Sequence, residues 1–170
     1  MNGFSRIGDT SPLLTKKISV LRQIQRGLVI RGYVPKIGHD KYFVFVGFSK
    51  DSKFSYAFFI SSEPSLIIIT KPQLAKLQIE IPPRSYGFLP KPRPSYINCL
   101  NLYEQDSFNM INGLIENPSK MRGYLTPKHL YEVIQATQNN PTLSPDQKNI
   151  VTGPLTFPSA LCPITTLLIC

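Results

Sequence analysis

Between Lys41 and Ile60 the chain reads KYFVFVGFSKDSKFSYAFFI, and no other stretch restricts its fold so strongly. Tyr42, Phe43, Val44, Phe45 and Val46 are aromatic or β-branched, which suits a pleated surface. Gly47 to Lys53 is polar and turn-prone, and Phe54 to Ile60 resumes the apolar run. The pattern is two strands and a hairpin. Because the strands are apolar almost continuously, both of their faces are covered, as in a small closed barrel or the middle of a compact sheet.

The flanking sequence supplies the other elements. Ser11-Pro12 is a helix start, and Leu13, Leu14, Ile18, Leu21 and Ile24 recur at helical spacing. A helix is expected from Pro12 to about Gln25, capped by Gly27. Its other face carries Lys16, Lys17, Arg22 and Arg26, a solvated face or a groove that tracks phosphates. Leu28–Val34 reads as a strand and Pro35–Asp40 as a loop. Leu66–Thr70 (LIIIT) reads as a short apolar strand, Pro72–Lys76 as a helical turn, Gln78–Ile81 as an edge strand and Tyr96–Leu100 as a final strand. From Pro82 to Pro94 proline is dense, and proline cannot donate to a ladder, so that segment is loop. Helices follow from Asp106 or Ser107 to Glu116, from Thr126-Pro127 onward and from Ser144-Pro145 to about Val151. Met1–Thr10 reads as loose, and Leu155–Cys170 as an apolar tail without a period. The order predicts one α+β domain over residues 1–170: an N-terminal helix, a mostly antiparallel sheet curled into a small barrel over 28–100, and C-terminal helices over 106–151.

Composition narrows the function classes. The 170 residues contain 19 Lys and Arg against 10 Asp and Glu, a formal charge of +9. That balance suits an anionic partner such as nucleic acid, an acidic protein or a membrane surface, or else belongs to a protein that is simply basic. Cys99, Cys162 and Cys170 form no C-x-x-C pair, and His39 and His129 lie far apart, so neither a metal site nor a cofactor is expected. The odd cysteine count suits reduced thiols in the cytoplasm. The N-terminal stretch has no apolar run of signal-peptide length, and the tail, interrupted by Pro158 and Pro163, falls short of the ~20 apolar residues of a spanning helix, so no membrane partner is expected.

The order of four motifs resembles the PemK/MazF type of toxin endoribonuclease. These are K-Y-F-V-F-V-G from Lys41, F-F-I-S-S from Phe58, S-Y-I-N-C from Ser95, and N-P-S-K-M-R-G-Y-L-T-P-K-H-L-Y-E-V-I from Asn117. The resemblance spans roughly Leu28 to Ala136 and rests chiefly on the S-Y-I strand and on the G-Y-L-T helix start. It implies an SH3-like barrel with a C-terminal helix, a homodimer, metal-free RNA cleavage and an antitoxin protein that silences it. Where the family often has an arginine before its second strand, this chain has Lys41 after His39 and Asp40. Where it has Thr or Ser at the end of the next strand, this chain has Ser61 and Ser62. Where some members have an Arg and an Asp on the S-Y-I strand, this chain has Asn98 and Leu100, neither of them ionisable.

The residues themselves allow the same chemistry. Metal-free RNA cleavage needs a base for the 2′-hydroxyl, an acid for the leaving 5′-oxygen and cations facing the phosphorane. Histidine is the side chain whose ordinary charge change falls near neutrality, so His39 can serve as base or acid. Lys41 can hold the non-bridging oxygens, and Ser61 or Ser62 can hydrogen-bond the phosphate. The plainer alternatives are an exposed loop histidine, a strand-edge lysine that blocks aggregation and a turn-forming serine pair. Arg84, Tyr86, Lys91 and Arg93, interleaved on the proline-rich segment with Phe88, suit single-stranded RNA, with Asn98 as a further polar contact. The alternative is a stiff loop whose aromatics tuck onto the sheet. His129 reads as surface or helix packing, and Cys99 as a small core residue.

Overall fold

The computed structural model describes residues 11–89, 92–155 and 157. Its elements are α1 (Pro12–Gln23), β1 (Leu28–Val34), β2 (His39–Phe48), β3 (Phe54–Ser61), α2 (Leu66–Thr70), a 3-10 helix (Pro72–Leu77), β4 (Gln78–Ile81), β5 (Ser95–Asp106), α3 (Ser107–Glu116), a 3-10 turn (Pro118–Lys120), β6 (Met121–Tyr124), α4 (Pro127–Gln138) and α5 (Pro145–Thr152). Six strands form one sheet in the order β4-β5-β3-β2-β1-β6, and every neighbouring pair is antiparallel. Register shifts in β1–β6, β2–β3 and β3–β5 bend and curl it, because a bulge increases local twist. β4 and β6 are the end strands, and among the described residues no pairing joins them to each other.

The apolar hairpin is covered on both faces, as its composition demands, and helices do the covering. Val44, Val46, Phe58 and Ile60 point into a core closed by Val133 and Ala136 of α4, Val151 of α5, and Tyr86 and Leu89 of the proline-rich segment. Phe43, Phe45, Phe48 and Ala57 point the other way, toward Val20 of α1 and Met110, Ile111 and Leu114 of α3. Apart from Phe54, which is exposed at the start of β3, the apolar residues of the hairpin meet one helix layer or the other, and Phe43 through Phe48 are buried without a break.

Two glycines are required by what they touch. Gly27 sits at φ +90°, a region open to glycine without penalty, and its N–H donates to the Phe45 carbonyl while its own carbonyl accepts from Leu125. It turns the chain into β1 and is not the helix cap, since α1 ends at Gln23 with Ile24 following. Gly47 lies at the β2–β3 register shift, and a Cβ there would meet the Ile150 carbonyl oxygen at 2.6 Å, so α5 can approach β2 only over a glycine.

Three of the four polar helix starts cap as the sequence indicates. Asp106 accepts from the Asn109 N–H and caps α3, Thr126 caps α4, and Ser144 with Gln147 forms a reciprocal capping box on α5. Ser11 precedes a proline at the first turn of α1 but makes no side-chain capping bond. Asn140, wholly buried, donates through Nδ2 to the carbonyls of Cys99 (2.7 Å) and Leu100 (3.0 Å). β4 pairs with β5 only as far as Asn98, so Asn140 takes over the next two edge carbonyls.

Several expectations need correction. Leu66–Thr70 is helix α2, not a strand: Ile69 N–H donates to the Ser65 carbonyl, only Ile68 is buried, and β4 already pairs with this end of β5. A short apolar run carries no period that separates strand from helix. β5 is twelve residues long and reaches Asp106, and β6, four residues with an alternating half-buried and exposed pattern, was not foreseen. His39 and Asp40 begin β2 and do not lie in the preceding loop. Met1–Thr10 and nearly all of the apolar tail lie outside the described residues. Of that tail, Leu155 packs on the α1–α3 core and the Phe157 ring lies 5.8 Å from Phe48.

Arg26 departs from the solvated or phosphate-facing role of its neighbours on the sequence. Its Nε donates to the Val46 carbonyl at 2.9 Å, and its Nη2 donates to the carbonyls of Ile150 (3.1 Å) and Gly153 (2.6 Å). Half-burial lowers its pKa from the ordinary arginine value. The guanidinium thus joins the start of β1 to β2 and to the negative end of α5, where a cation is favoured. Replacing Arg26 with Met keeps the aliphatic bulk and strips all three carbonyls of their donor. The expected loss is ~2–3 kcal/mol of stability, read as a lower urea midpoint at unchanged slope. A loss under about 0.5 kcal/mol would mean that water replaces the guanidinium.

Candidate functional site

Strand pairing brings the candidate catalytic residues to one end of the sheet. Tyr42 of β2 faces Ile60 of β3, which places Lys41 beside Ser61 one step further out. Ser61 in turn faces Tyr96 of β5, and Ser95 follows at the same end. A cavity of about 220 Å³ lies there, lined by His39, Asp40, Lys41, Tyr42, Ile60, Ser61, Ser62, Leu89 and Ser95. His39, Lys41, Ser61 and Ser62, singled out from separate stretches of sequence, all border it. Strand alternation places His39 and Lys41 on one face of β2 and Asp40 and Tyr42 on the other, and the cavity receives both sets because it sits at the strand ends. Ile60 and Leu89, members of the α4-side core, give it an apolar floor.

The local bonds define what each group is free to do. His39 Nδ1 lies 3.2 Å from the Ile37 carbonyl. A carbonyl only accepts, so this contact puts the ring proton on Nδ1 and leaves Nε2 of the neutral ring with its lone pair. Nε2 is thus the basic nitrogen. The Ser61 hydroxyl donates to the Glu63 carbonyl at 2.8 Å, which closes the turn after β3 and leaves the serine oxygen to act only as an acceptor while that bond lasts. Ser62 is exposed. Lys41 is half-buried at its strand end.

One residue that sequence reading passed over belongs beside this cavity. Arg31 of β1 is the cross-strand neighbour of Tyr42, and its Nη2 lies 3.1 Å from Oδ2 of Asp40. Both side chains are a little under half exposed. The sequence holds one available signal: in a β1–β2 hairpin with this loop length, residue 31 stands two rungs from residue 40. That signal becomes visible only once the start of β2 is moved back to His39.

The proposed RNA-contacting residues are dispersed. Arg84 is exposed in the turn after Pro83, at φ +67°, and Arg93 is exposed just before β5. Lys91 lies outside the described residues. Asn98 is half-buried in β5, and its Oδ1 accepts from the Leu100 N–H at 3.0 Å, so its amide is engaged with its own strand. Tyr86 is placed in the core and not on the surface: it is 7% exposed, its hydroxyl accepts from the Thr126 N–H at 2.8 Å and lies 2.7 Å from His129 Nδ1, and its ring stacks on Phe88 at 5.2 Å. The aromatics of this segment tuck onto the sheet, since Phe88 also approaches Tyr42 at 6.1 Å. The exposed basic surface of the segment, among the described residues, is Arg84 and Arg93.

His129 and Cys99 are structural. The Tyr86 hydroxyl accepts from the Thr126 N–H and lies 2.7 Å from His129 Nδ1 and 3.3 Å from Thr126 Oγ1, so its one hydrogen has these two acceptors in reach. Burial pushes the His129 pKa down, with Glu132 opposing and Lys128 reinforcing the shift. Cys99 is wholly buried, and burial pushes its thiol well above the ordinary range, away from nucleophilic character. Among the described residues no three His, Cys, Asp or Glu side chains gather closely enough to hold a metal ion, and no helix is long and apolar enough to cross a membrane.

No protein-family model, curated protein or solved structure is significantly similar to the chain. The likeness to toxin endoribonucleases therefore rests on the motifs alone.

The His129 arrangement sets a pH dependence. Its folded pKa lies below the ordinary histidine value of about 6.5, so above that pH the ring is neutral whether folded or unfolded and the arrangement contributes in full. As pH falls below about 6.5 the unfolded chain binds the proton first, and this contribution declines through the folded pKa. Urea midpoints between pH 7.5 and 5 are expected to fall in the parent and to fall less in His129→Gln. Parallel slopes in the two proteins would show that His129 does not titrate in this way.

Proposed function

We propose that the protein is an endoribonuclease toxin that cuts single-stranded RNA without a metal ion. The observation that supports this reading is the convergence of His39, Lys41 and Ser61 on one cavity at the ends of β2 and β3. In this reading His39 Nε2 takes the proton of a 2′-hydroxyl. The resulting oxygen attacks the adjacent phosphorus, the 5′-oxygen departs, and a 2′,3′-cyclic phosphate remains. The departing oxygen takes its proton from solvent in the open cavity. Lys41 faces the charge that grows on the non-bridging oxygens, with Ser61 and Ser62 at the cavity rim and Arg84 and Arg93 as phosphate contacts along the strand. Arg31, which presents a planar fork where Lys41 is a point charge, is the stronger oxyanion partner of the two.

The reading takes the sheet as an SH3-like barrel left open between β4 and β6, the chain as a cytoplasmic homodimer, and an antitoxin protein as its silencing partner. The motif order supports these, together with the charge of +9.

A second reading is favoured by two specific bonds. The Ser61 hydroxyl is committed to Glu63 and the Asn98 Oδ1 to Leu100, and Asn98 and Leu100, where some family members have an ionisable pair, are not ionisable. These suit a module that binds nucleic acid or a protein partner without cutting.

Incubation of the protein with long single-stranded RNA in EDTA separates the two readings. The nuclease is expected to yield fragments ending in 2′,3′-cyclic phosphate, and His39→Ala and Lys41→Ala are each expected to slow cleavage by at least ~10²-fold, the scale of one positioned acid–base group. Intact RNA with salt-dependent retention would select the binding module. Cleavage untouched by either substitution would keep the activity and remove these residues from it.

A further inference from the structure

We infer that Arg31 is a phosphate-oxygen seat at this cavity, and that the Asp40 carboxylate holds the seat as an internal counterion until a phosphate displaces it. The inference deepens the reading of the cavity as an RNA site and shares its premise that the cavity takes a phosphate anion.

Three observations carry it. First, Asp40 lines the cavity, and its Oδ2 lies 3.1 Å from Arg31 Nη2, so the guanidinium already holds an anionic oxygen of a residue on the cavity wall. A phosphate oxygen and a carboxylate oxygen make the same charge-assisted bond with the same fork. Second, the strand register fixes the arginine. Arg31 is opposite Tyr42 and Tyr33 is opposite Asp40, so Arg31, Asp40 and Tyr42 project from one face of the β1–β2 hairpin, toward the cavity's α4 side. Third, the pair is weak enough to exchange. Its two side chains are 44% and 45% exposed, and a solvated ion pair contributes little net free energy. A buried pair would have been a structural lock. This one is a partly hydrated contact that an incoming phosphate group can displace.

Local charge agrees. Among the described residues Asp40 is the only acidic one lining the cavity, where His39 and Lys41 are its immediate chain neighbours. With Asp40 turned away, the Arg31 guanidinium is free for a ligand anion, while Lys41 lines the cavity from the other face of β2. Exchange costs the protein one exposed ion pair and returns one charge-assisted contact to phosphate, so Asp40 sets how tightly any phosphate is held.

The test is titration of the full chain with inorganic phosphate at low, constant ionic strength, followed by the backbone amide shifts of residues 39–42. Asp40→Asn removes the competitor and is expected to tighten binding by about 2- to 5-fold, the range an exposed pair allows. Arg31→Gln is expected to weaken binding by at least as much. On the Arg31→Gln background, Asp40→Asn is expected to give no tightening, because the two residues act on one contact. Unchanged or weaker binding by Asp40→Asn overturns the inference, since Asp40 would then be positioning Arg31 and not competing for it. Absence of any phosphate-dependent shift at residues 39–42 in the parent also overturns it. Equal thermal midpoints of the three variants and the parent confirm that the fold is intact. Exchange as described, with RNA left uncut, would sustain the seat and remove the nuclease reading.

Discussion

The structure depends on the burial of both faces of β2. Phe43, Val44, Phe45, Val46 and Phe48 leave no solvated side to the strand, so the chain must supply two separate apolar layers to cover it. It does so with helices drawn from its two ends. α1 and α3 cover the Phe43–Phe45 side, and α4 and α5 cover the Val44–Val46 side. A buried Phe or Val contributes roughly 1.5–3 kcal/mol relative to an exposed one, so five such residues in one strand outweigh any single polar contact in the molecule. Everything else is arranged to let the helices reach the sheet: Gly47 lets α5 lie against β2, and Gly27 makes the turn between α1 and β1.

The polar bonds that remain inside are those that this double cover creates. Helix ends and strand edges carry unpaired carbonyls, and burying them without a partner is costly. Arg26 answers for Val46, Ile150 and Gly153, where α5 ends above β2. Asn140 answers for Cys99 and Leu100, where β4 stops short of the full length of β5. Tyr86 serves the start of α4, where its hydroxyl accepts from the Thr126 N–H and lies 2.7 Å from His129 Nδ1. In each case a side chain from a distant part of the sequence closes the account, which is why none was recognised from local pattern.

The candidate site has the opposite character. Its residues lie at strand ends, partly hydrated, and engage in short-range or exchangeable contacts: His39 with Ile37, Ser61 with Glu63 and Arg31 with Asp40. The rigid middle of the sheet fixes the register, and register alone decides which side chains meet at the cavity. Lys41, Ser61 and Ser62 were legible because two apolar runs announce β2 and β3 and these residues flank them, whereas His39, read into the preceding loop, begins β2. Arg31 was not legible, since its relevance depends on the pairing of β1 with β2. Tyr86 looked like a stacking platform because it is flanked by Arg84 and Lys91, yet its ring is drawn into the core by Phe88 and His129.

The sequence by itself determined the strands with strong aromatic and β-branched content, the helices that begin with a cap and a proline, and the need to cover the central hairpin on both faces. These are local properties: a capping hydroxyl, a fixed proline φ and a run of large apolar side chains act within a few residues. Tertiary structure alone decided that helices supply the cover, that LIIIT is helical, that Met121–Tyr124 joins the sheet as a sixth strand, and that Arg31 pairs with Asp40 of the cavity wall. The physical reason is common to these. A short segment takes whichever form lets its apolar atoms and backbone groups find partners, and those partners lie far along the chain, where local preference carries no information.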